Sequence, residues 1–476
     1  MQLEITPQQA KLEKARRAAH SSYRAFFRMN EPGPNYVYGR HTNALIDIFD
    51  RTVKRLEQGL STYVIVNLPP RYGKSDQASR VGPPWALVRN PRMDIILASY
   101  AFSLASNLSF EARRLYKEVA PMFGSRLHEK KASLGGWKTD QGGGVNAVGL
   151  TGSIAGFGAD LLIVDDYIKG RADAESKNIR DKVWNAFQSD LFPRLAPVHG
   201  VIIVANRWHQ DDLVGRILQR CDPKHPNYDE DYPVYERVAF PEYDEETDTW
   251  LCEERWTPTF CKARRSTMGS YAWQSQCQQD PRPRTGNMLR ADNVQFIDEM
   301  PEGLTWVRGW DLASSTKEVA SDDPDYTVGT LAAVQRDPSA PGVFKIYVAD
   351  VVKGRWKGTE RNNKIIATAE RDGPNVTQKV ETVAGYTDAY DYVKNLLYGR
   401  FVVRQYKPSL DKVSRCVHME PVFEAGNVYA LRSGWNHEWQ QTFLDFPNGV
   451  HDDDVDSLEC ATHGALLGGG SMGISR

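Results

Sequence analysis

The sequence predicts an α/β protein of two domains. The first is a doubly wound parallel sheet; the second is a sheet in which three extended strands run into α/β alternation. Three observations carry this. Four short apolar runs, 63–68, 93–99, 161–164 and 201–205, stand between helix-like segments in the first half, which is how parallel strands covered on both faces read. In the second half the pattern changes to extended segments at 306–313, 326–334 and 344–352, joined by turn-rich loops. At 476 residues the chain exceeds what one core supports, and two domains of about 200 residues each are the natural division.

Composition narrows the classes. Lys plus Arg is 59 against 61 Asp plus Glu, a formal net charge of −2, so any basic surface for nucleic acid must be local. The six cysteines form no CxxC pair, and reduced thiols are expected rather than a disulfide framework or a zinc site. No apolar run reaches the length of a membrane span, and the polar N-terminal stretch does not read as a signal peptide. The Gly-rich end, 468–476, is expected to be a flexible tail.

In chain order, amphipathic helices are expected at 8–28 and 41–58. The run YVIVNLPPRYGKS, 63–75, follows as a strand entering a tight turn that ends in Gly73, Lys74 and Ser75. Such a turn aims backbone N–H groups at one spot, where a triphosphate can sit with the lysine on its outer phosphates and the serine hydroxyl on Mg²⁺. Pro70, Arg71 and Tyr72 complete the loop, and Arg71 either carries charge to the γ-phosphate or is an ordinary exposed turn residue. Leu68 stands where the standard pattern has glycine, so taken alone the loop also fits a turn with a solvated lysine. The run LLIVDD, 161–166, supplies a strand ending in carboxylates. Asp165 is assigned to Mg²⁺ and Asp166 to the attacking water; a helix-capping Asp pair is the plainer alternative.

These stretches, with ILASYAFSLASN at 96–107, GADLLIVDDYIK at 158–169 and NRWHQDDLVGRI at 206–217, resemble the ATPase motor of tailed-phage terminase large subunits. That family has a similarly altered phosphate loop, and its acid after the Mg²⁺ ligand is often Glu, where Asp166 stands here. The resemblance implies that Asn206, Arg207 and His209 belong to a motif coupling hydrolysis to motion, with His209 a hydrogen-bonded structural residue. It also implies an adenine pocket around Arg40 and His41, and an arginine finger from a neighbouring subunit.

From about 222 to 300 acidic and Pro-rich stretches mark a joint. YAWQSQCQQDPRPRTG, 271–286, resembles the hinge that follows the terminase motor, and Arg282, Arg284 and Arg290 bring positive charge that can touch a DNA backbone. The expected division is a motor domain at 1–265, a linker at 266–300, a second domain at 301–467 and the tail.

After the three extended segments come a strand at 376–383, a helix at 387–398, a strand at 401–406, a helix, a strand at 428–431 and a last helix from 452. That outline is RNase H-like. Asp311 ends the first strand, Glu381 lies in a later one, and Asp452, Asp453, Asp454 and Asp456 open the last helix. Carboxylates gathered without basic partners repel unless cations neutralise them, and two Mg²⁺ or Mn²⁺ for in-line phosphodiester cleavage explain the set economically. The helix dipole accounts for one or two of the acids. An EF-hand fails because Ser457 and His463 stand where Gly and Glu are required. Asp325, in a second acidic cluster, is a candidate accessory group or a solvated loop residue.

GWDLASS at 309–315, DYTVGTL at 325–331, DKVSRCVHMEPVFEAGNVYAL at 411–431 and HDDDVDSLECA at 451–461 resemble the terminase nuclease domain. The resemblance implies Asp311 and Glu381 as metal ligands with a third from Asp452 or Asp453, and Asp456 follows in the same motif. The stretch 411–431 reads as packing plus strand. The implied protein is a DNA-packaging motor subunit using ATP and Mg²⁺. Its partners would be double-stranded DNA, a small terminase subunit and a portal or procapsid, on which it forms a ring in the host cytoplasm, with no membrane. The alternatives are a repair helicase–nuclease or resolvase, and a non-catalytic nucleotide-binding assembly factor.

Overall fold

The computed structural model describes residues 7–33, 36–150, 152, 156–282, 288–312, 326–338, 342–356, 358–382, 387–408, 410–447, 449 and 451–466. Asp325, Arg284 and the Gly-rich end fall outside them. The chain forms two compact units, Met1–Lys262 with Tyr271–Pro283, and Ala263–Ser270 with Arg284–Arg476.

In the first unit eight strands share one sheet: β1 (Thr62–Asn67), β2 (Asp94–Ser99), β3 (Leu127–Ala132), β4 (Gly136–Thr139), β5 (Gly144–Gly149), β6 (Ala159–Asp165), β7 (Leu195–Ala205) and β8 (Glu236–Ala239). Their spatial order is β3-β4-β5-β2-β6-β7-β1-β8, parallel from β5 to β8 with an antiparallel edge at β3 and β4. A two-stranded ribbon, β9 (Tyr243–Asp244) and β10 (Thr249–Trp250), follows.

The four predicted runs are the four central strands. Successive side chains enter opposite cores, Val64 and Val66 meeting Phe49 and Trp85 on one face while Ile65 meets the cluster of Phe187 and Val214 on the other. Burial on both sides therefore removes any polar alternation. The register pairs Asn67 with Ala205 and Asp165 with Val204. The carboxyl ends of β1, β7 and β6 thus lie level and adjacent, and their loops converge.

Two local features depart from a simple reading. The expected helix at 8–28 is two helices, Pro7–Ser21 and Tyr23–Met29, because Ser22 turns extended and its hydroxyl accepts the Ala25 N–H as an N-cap. The helix after the phosphate loop opens as a π-helical turn, Asp76–Val81, before Gly82–Arg89. Pro83 and Pro84 lack the N–H groups that the carbonyls of Ser79 and Arg80 would need in an α-helix.

The second unit holds β11 (Gln295–Ile297), β12 (Trp306–Asp311), β13 (Thr327–Arg336), β14 (Phe344–Gly354), β15 (Thr377–Glu381), β16 (Val403–Tyr406) and β17 (Val428–Leu431), ordered β11-β17-β14-β13-β12-β15-β16. β12, β13 and β14 form the antiparallel meander. β15 and β16 continue parallel beside β12, and β17 pairs parallel with β14. This is the RNase H-like arrangement. The sequence reading omitted the helix Gly358–Asp372, whose buried face is only Arg361, Ile365, Thr368 and Ala369.

One glycine fixes the site. A Cβ at Gly309 would lie 2.3 Å from the Ser457 carbonyl oxygen and 2.4 Å from the Ala461 nitrogen. The last helix, Asp453–Thr462, therefore packs its backbone directly on β12. Its first turn is carried towards Asp311, two residues beyond the contact.

Candidate active sites

In the first unit the converging loops bring Lys74, Ser75, Asp165, Asp166 and Asn206 together. Lys74 Nζ lies 3.1 Å from Asp166 Oδ1 and 3.5 Å from Asn206 Oδ1. The Ser75 hydroxyl donates to Asp165 Oδ1 at 3.0 Å and the Ser79 hydroxyl to Oδ2 at 2.5 Å. Burial, reinforced by neighbouring Asp166, pushes the Asp165 carboxyl up to about 7 against the pull of Lys74 and the two serines. Three residues here hold left-handed backbone without being glycine: Arg71 (φ 67°), Asp166 (φ 49°) and Gln279 (φ 58°). Each such residue costs about 1–3 kcal/mol unless the surroundings fix it. Gly73, with φ 81°, has the Tyr36 hydroxyl 2.6 Å from where a Cβ would be, so the turn admits no side chain there.

The remaining predicted residues divide. Tyr72 turns inward, its hydroxyl donating to Glu242 Oε1 at 2.9 Å and its ring packing edge-on to His41 at 5.4 Å. Only its backbone is left for a phosphate. His41 is buried, which with Arg255 and Arg40 lowers its pKa to about 4, and its Nδ1 has no hydrogen-bond partner among the described residues. Arg40 pairs at 3.8 Å with Asp244. Pro70 is half-buried and Arg71 exposed. Arg207 and His209 have partners other than Lys74. Arg207 Nε donates to both Asp212 oxygens at 3.0 Å, and His209 Nδ1 accepts the Asp211 N–H at 2.9 Å. Asn206 alone of the predicted coupling residues faces the lysine.

Sequence reasoning missed Tyr36, Ser79 and a buried polar chain behind the loop. The Arg207 N–H donates to Gln279 Oε1 at 3.0 Å, and Arg237 bridges the Gln279 carbonyl and Asn67 Oδ1 at 2.8 and 3.0 Å. Gln279 belongs to the expected hinge, yet it is 1% exposed and tied to the ends of β1 and β7.

In the second unit β12 and β15 are neighbours, with Trp310 opposite Val380, so Asp311 and Glu381 emerge side by side. The last helix adds Asp453 and Asp456. Burial first, then the charges of Asp456, Glu381 and Asp453, hold the Asp311 carboxyl well above the usual range. Burial likewise takes Glu381 to about 7, with Arg415 opposing and Asp456 adding to the shift.

The stretch 411–431 is more than packing and strand. Arg415 Nη2 lies 3.0 Å from Asp456 Oδ1, and its Nη1 lies 3.5 Å from Glu381 and 3.4 Å from Glu459. Lys412 bridges Asp452 and Asp456, each at 2.5 Å. The acids thus have basic partners that the sequence reading did not assign. Asp454 points elsewhere, accepting from Lys353 at 2.9 Å and Thr442 at 3.1 Å. Asp453 Oδ2 accepts the Tyr326 N–H at 3.4 Å. Arg282 and Arg290 each pair with a near acid, Asp280 and Asp292, and stand as ordinary surface pairs.

No family model matches the chain. In sequence, 110 residues are 27% identical to the terminase large subunit of Enterobacteria phage T3, a match spanning 22% of this chain and 19% of that protein. In structure, the large terminase of a thermophilic bacteriophage, solved in complex with ADP, covers 91% of this chain and 100% of its own, with a TM-score of 0.53 at 10% identity. Another crystal form of that terminase covers 83% and 88%, with a TM-score of 0.52 at 11% identity. At such identities the likeness shows the fold.

Proposed function

We propose that this chain, which carries the fold of a phage large terminase, is a DNA-packaging motor subunit: ATP hydrolysis moves double-stranded DNA into a procapsid, and the second unit cuts the concatemer. The observation that carries the reading is the pair of carboxylate sites. One lies behind a phosphate loop and the other on an RNase H-like sheet, in one chain and in terminase order.

In the first site Lys74 exchanges Asp166 for the outer phosphates of ATP, which frees Asp166 to orient water. Ser75 and Asp165 fit Mg²⁺, because a buried carboxyl held near 7 gains a counter-charge. Asn206, whose buried Nδ2 has no hydrogen-bond partner among the described residues, registers the movement of Lys74. In the second site Asp311, Glu381 and Asp453 hold the metal, while Lys412 and Arg415 position Asp456. Bound Mg²⁺ or Mn²⁺ supplies charge neutralisation and an activated water there. Duplex contacts run to phosphates, because a translocating motor must accept any sequence, and binding weakens steeply with salt. A small subunit, a portal and a ring of copies complete the machine.

The test is DNase protection of linear DNA mixed with empty procapsids, this chain and ATP. Protection that needs ATP and fails with Lys74→Ala supports the reading. Protection without ATP, or none with an active ATPase, overturns it.

A further inference from the structure

We propose that His418, Glu459 and His463 form a second metal site in the RNase H-like unit, separate from the acid cluster, that binds one Zn²⁺ through three protein ligands with water in the fourth position. Their ligand atoms lie within 4.8 Å of one another, and among the described residues this is the one such trio of His, Cys, Asp or Glu. Two imidazoles and one carboxylate are a zinc donor set, whereas Mg²⁺ and Ca²⁺ favour oxygen alone.

The backbone prearranges the trio. Glu459 and His463 are four apart at the end of the last helix and share a face. His463 Nδ1 sits 2.6 Å from Glu459 Oε1. His418 follows the helix Lys412–Cys416, and its ring lies 5.8 Å from that of His463 at 80°. The Tyr406 hydroxyl lies 3.0 Å from Glu459 Oε1 and 3.3 Å from His463 Nδ1, beside both groups, where it can hold them in place.

A metal-free hydrogen-bond chain through Tyr406, Glu459 and His463 explains those three residues. It leaves the buried His418 Nε2 with no hydrogen-bond partner among the described residues, which is uncommon in a folded protein and which a metal bond would satisfy. Arg415 takes the other oxygen of Glu459, so Oε1 stays on the imidazole side. The ion would clip the end of the last helix to the segment that carries Lys412 and Arg415 to the acids. The site does not rest on the packaging reading, since zinc content is measured without DNA or ATP.

The test is zinc bound per chain after equilibrium dialysis of the metal-stripped, untagged full chain. One tightly held Zn²⁺ is expected in wild type and in Asp311→Asn, with none in His418→Ala or His463→Ala. Tyr406→Phe should weaken binding about 10–100-fold. Should the histidine variants fail to fold, the wild-type Co²⁺ absorption spectrum decides, an intense four-coordinate spectrum supporting the site and a six-coordinate or absent one overturning it. No zinc in wild type, zinc kept by the double histidine variant, or zinc lost in Asp311→Asn also overturns it.

Discussion

The two acid sites solve opposite charge problems. At the phosphate loop one lysine faces two carboxylates, and neutral hydroxyls from Ser75 and Ser79 brace the buried Asp165. In the RNase H-like unit Lys412 and Arg415 face Glu381, Asp452, Asp456 and Glu459, with Asp311 and Asp453 close by. A site for a triphosphate receives negative charge with its ligand and can hold few acids of its own. A site that gathers divalent cations needs surplus negative charge, and until the cations arrive it needs protein cations to stay folded. On the proposed reading, the contrast separates a nucleotide site from a metal-dependent cutting site more clearly than either motif does.

The strongest way to break this comparison is Arg415→Ala. It strips the cation from Glu381 and Glu459 and leaves Asp456 with Lys412 alone, and loss of one partner of a buried ion network costs about 3–5 kcal/mol. Thermal unfolding of the second unit should show that loss, with Mg²⁺ recovering part of it; no loss would mean the acids are not held by Arg415. Gly309→Ala comes next. Its Cβ meets the last helix's backbone, and such overpacking costs about 1–3 kcal/mol. Denaturant titration should show the second transition move while the first stays.

Ser79→Ala sharpens the other side of the comparison. It removes one donor from a buried carboxylate, worth about 1–3 kcal/mol, and should lower ATP turnover while leaving DNA cutting untouched.

The smallest effect is on pH dependence. Asp165 and Glu381 both titrate near 7 in the fold, above the unfolded carboxylate value of about 4. At these two sites the native state binds more protons, so their contribution to metal-free stability is lost as pH rises from about 4 to about 7, while buried neutral His41 contributes the opposite slope; the loss is read as wild type against Glu381→Gln. Mg²⁺ should flatten that slope, because binding needs the charged ligands and releases protons. A wild-type stability that does not fall relative to Glu381→Gln over this window without metal would contradict the Glu381 shift.

Much of this was legible in the sequence. Burial on both faces made β1, β2, β6 and β7 continuous apolar runs, and carboxylates at strand ends and in one helix turn marked both sites. The polar edge strands, LHEKKA in β3 among them, and the helix Gly358–Asp372 were not legible, because few of their residues meet a core. Lys412 and Arg415 lie 40 and 41 positions from their partners Asp452 and Asp456, and Ser79 lies 86 from Asp165. Only the fold brings such pairs together. Where the Tyr72 side chain turns was not legible either, because a loop position says which backbone faces a phosphate and not which way a side chain packs.

The most direct test of two separate active sites is linearisation of plasmid DNA with Mg²⁺ or Mn²⁺, run beside ATP hydrolysis on wild type, Asp311→Ala and Lys74→Ala. The account predicts that Asp311→Ala loses cutting and keeps ATPase, while Lys74→Ala loses ATPase and keeps cutting. Cutting that survives Asp311→Ala, or both activities falling together in either variant, would contradict it.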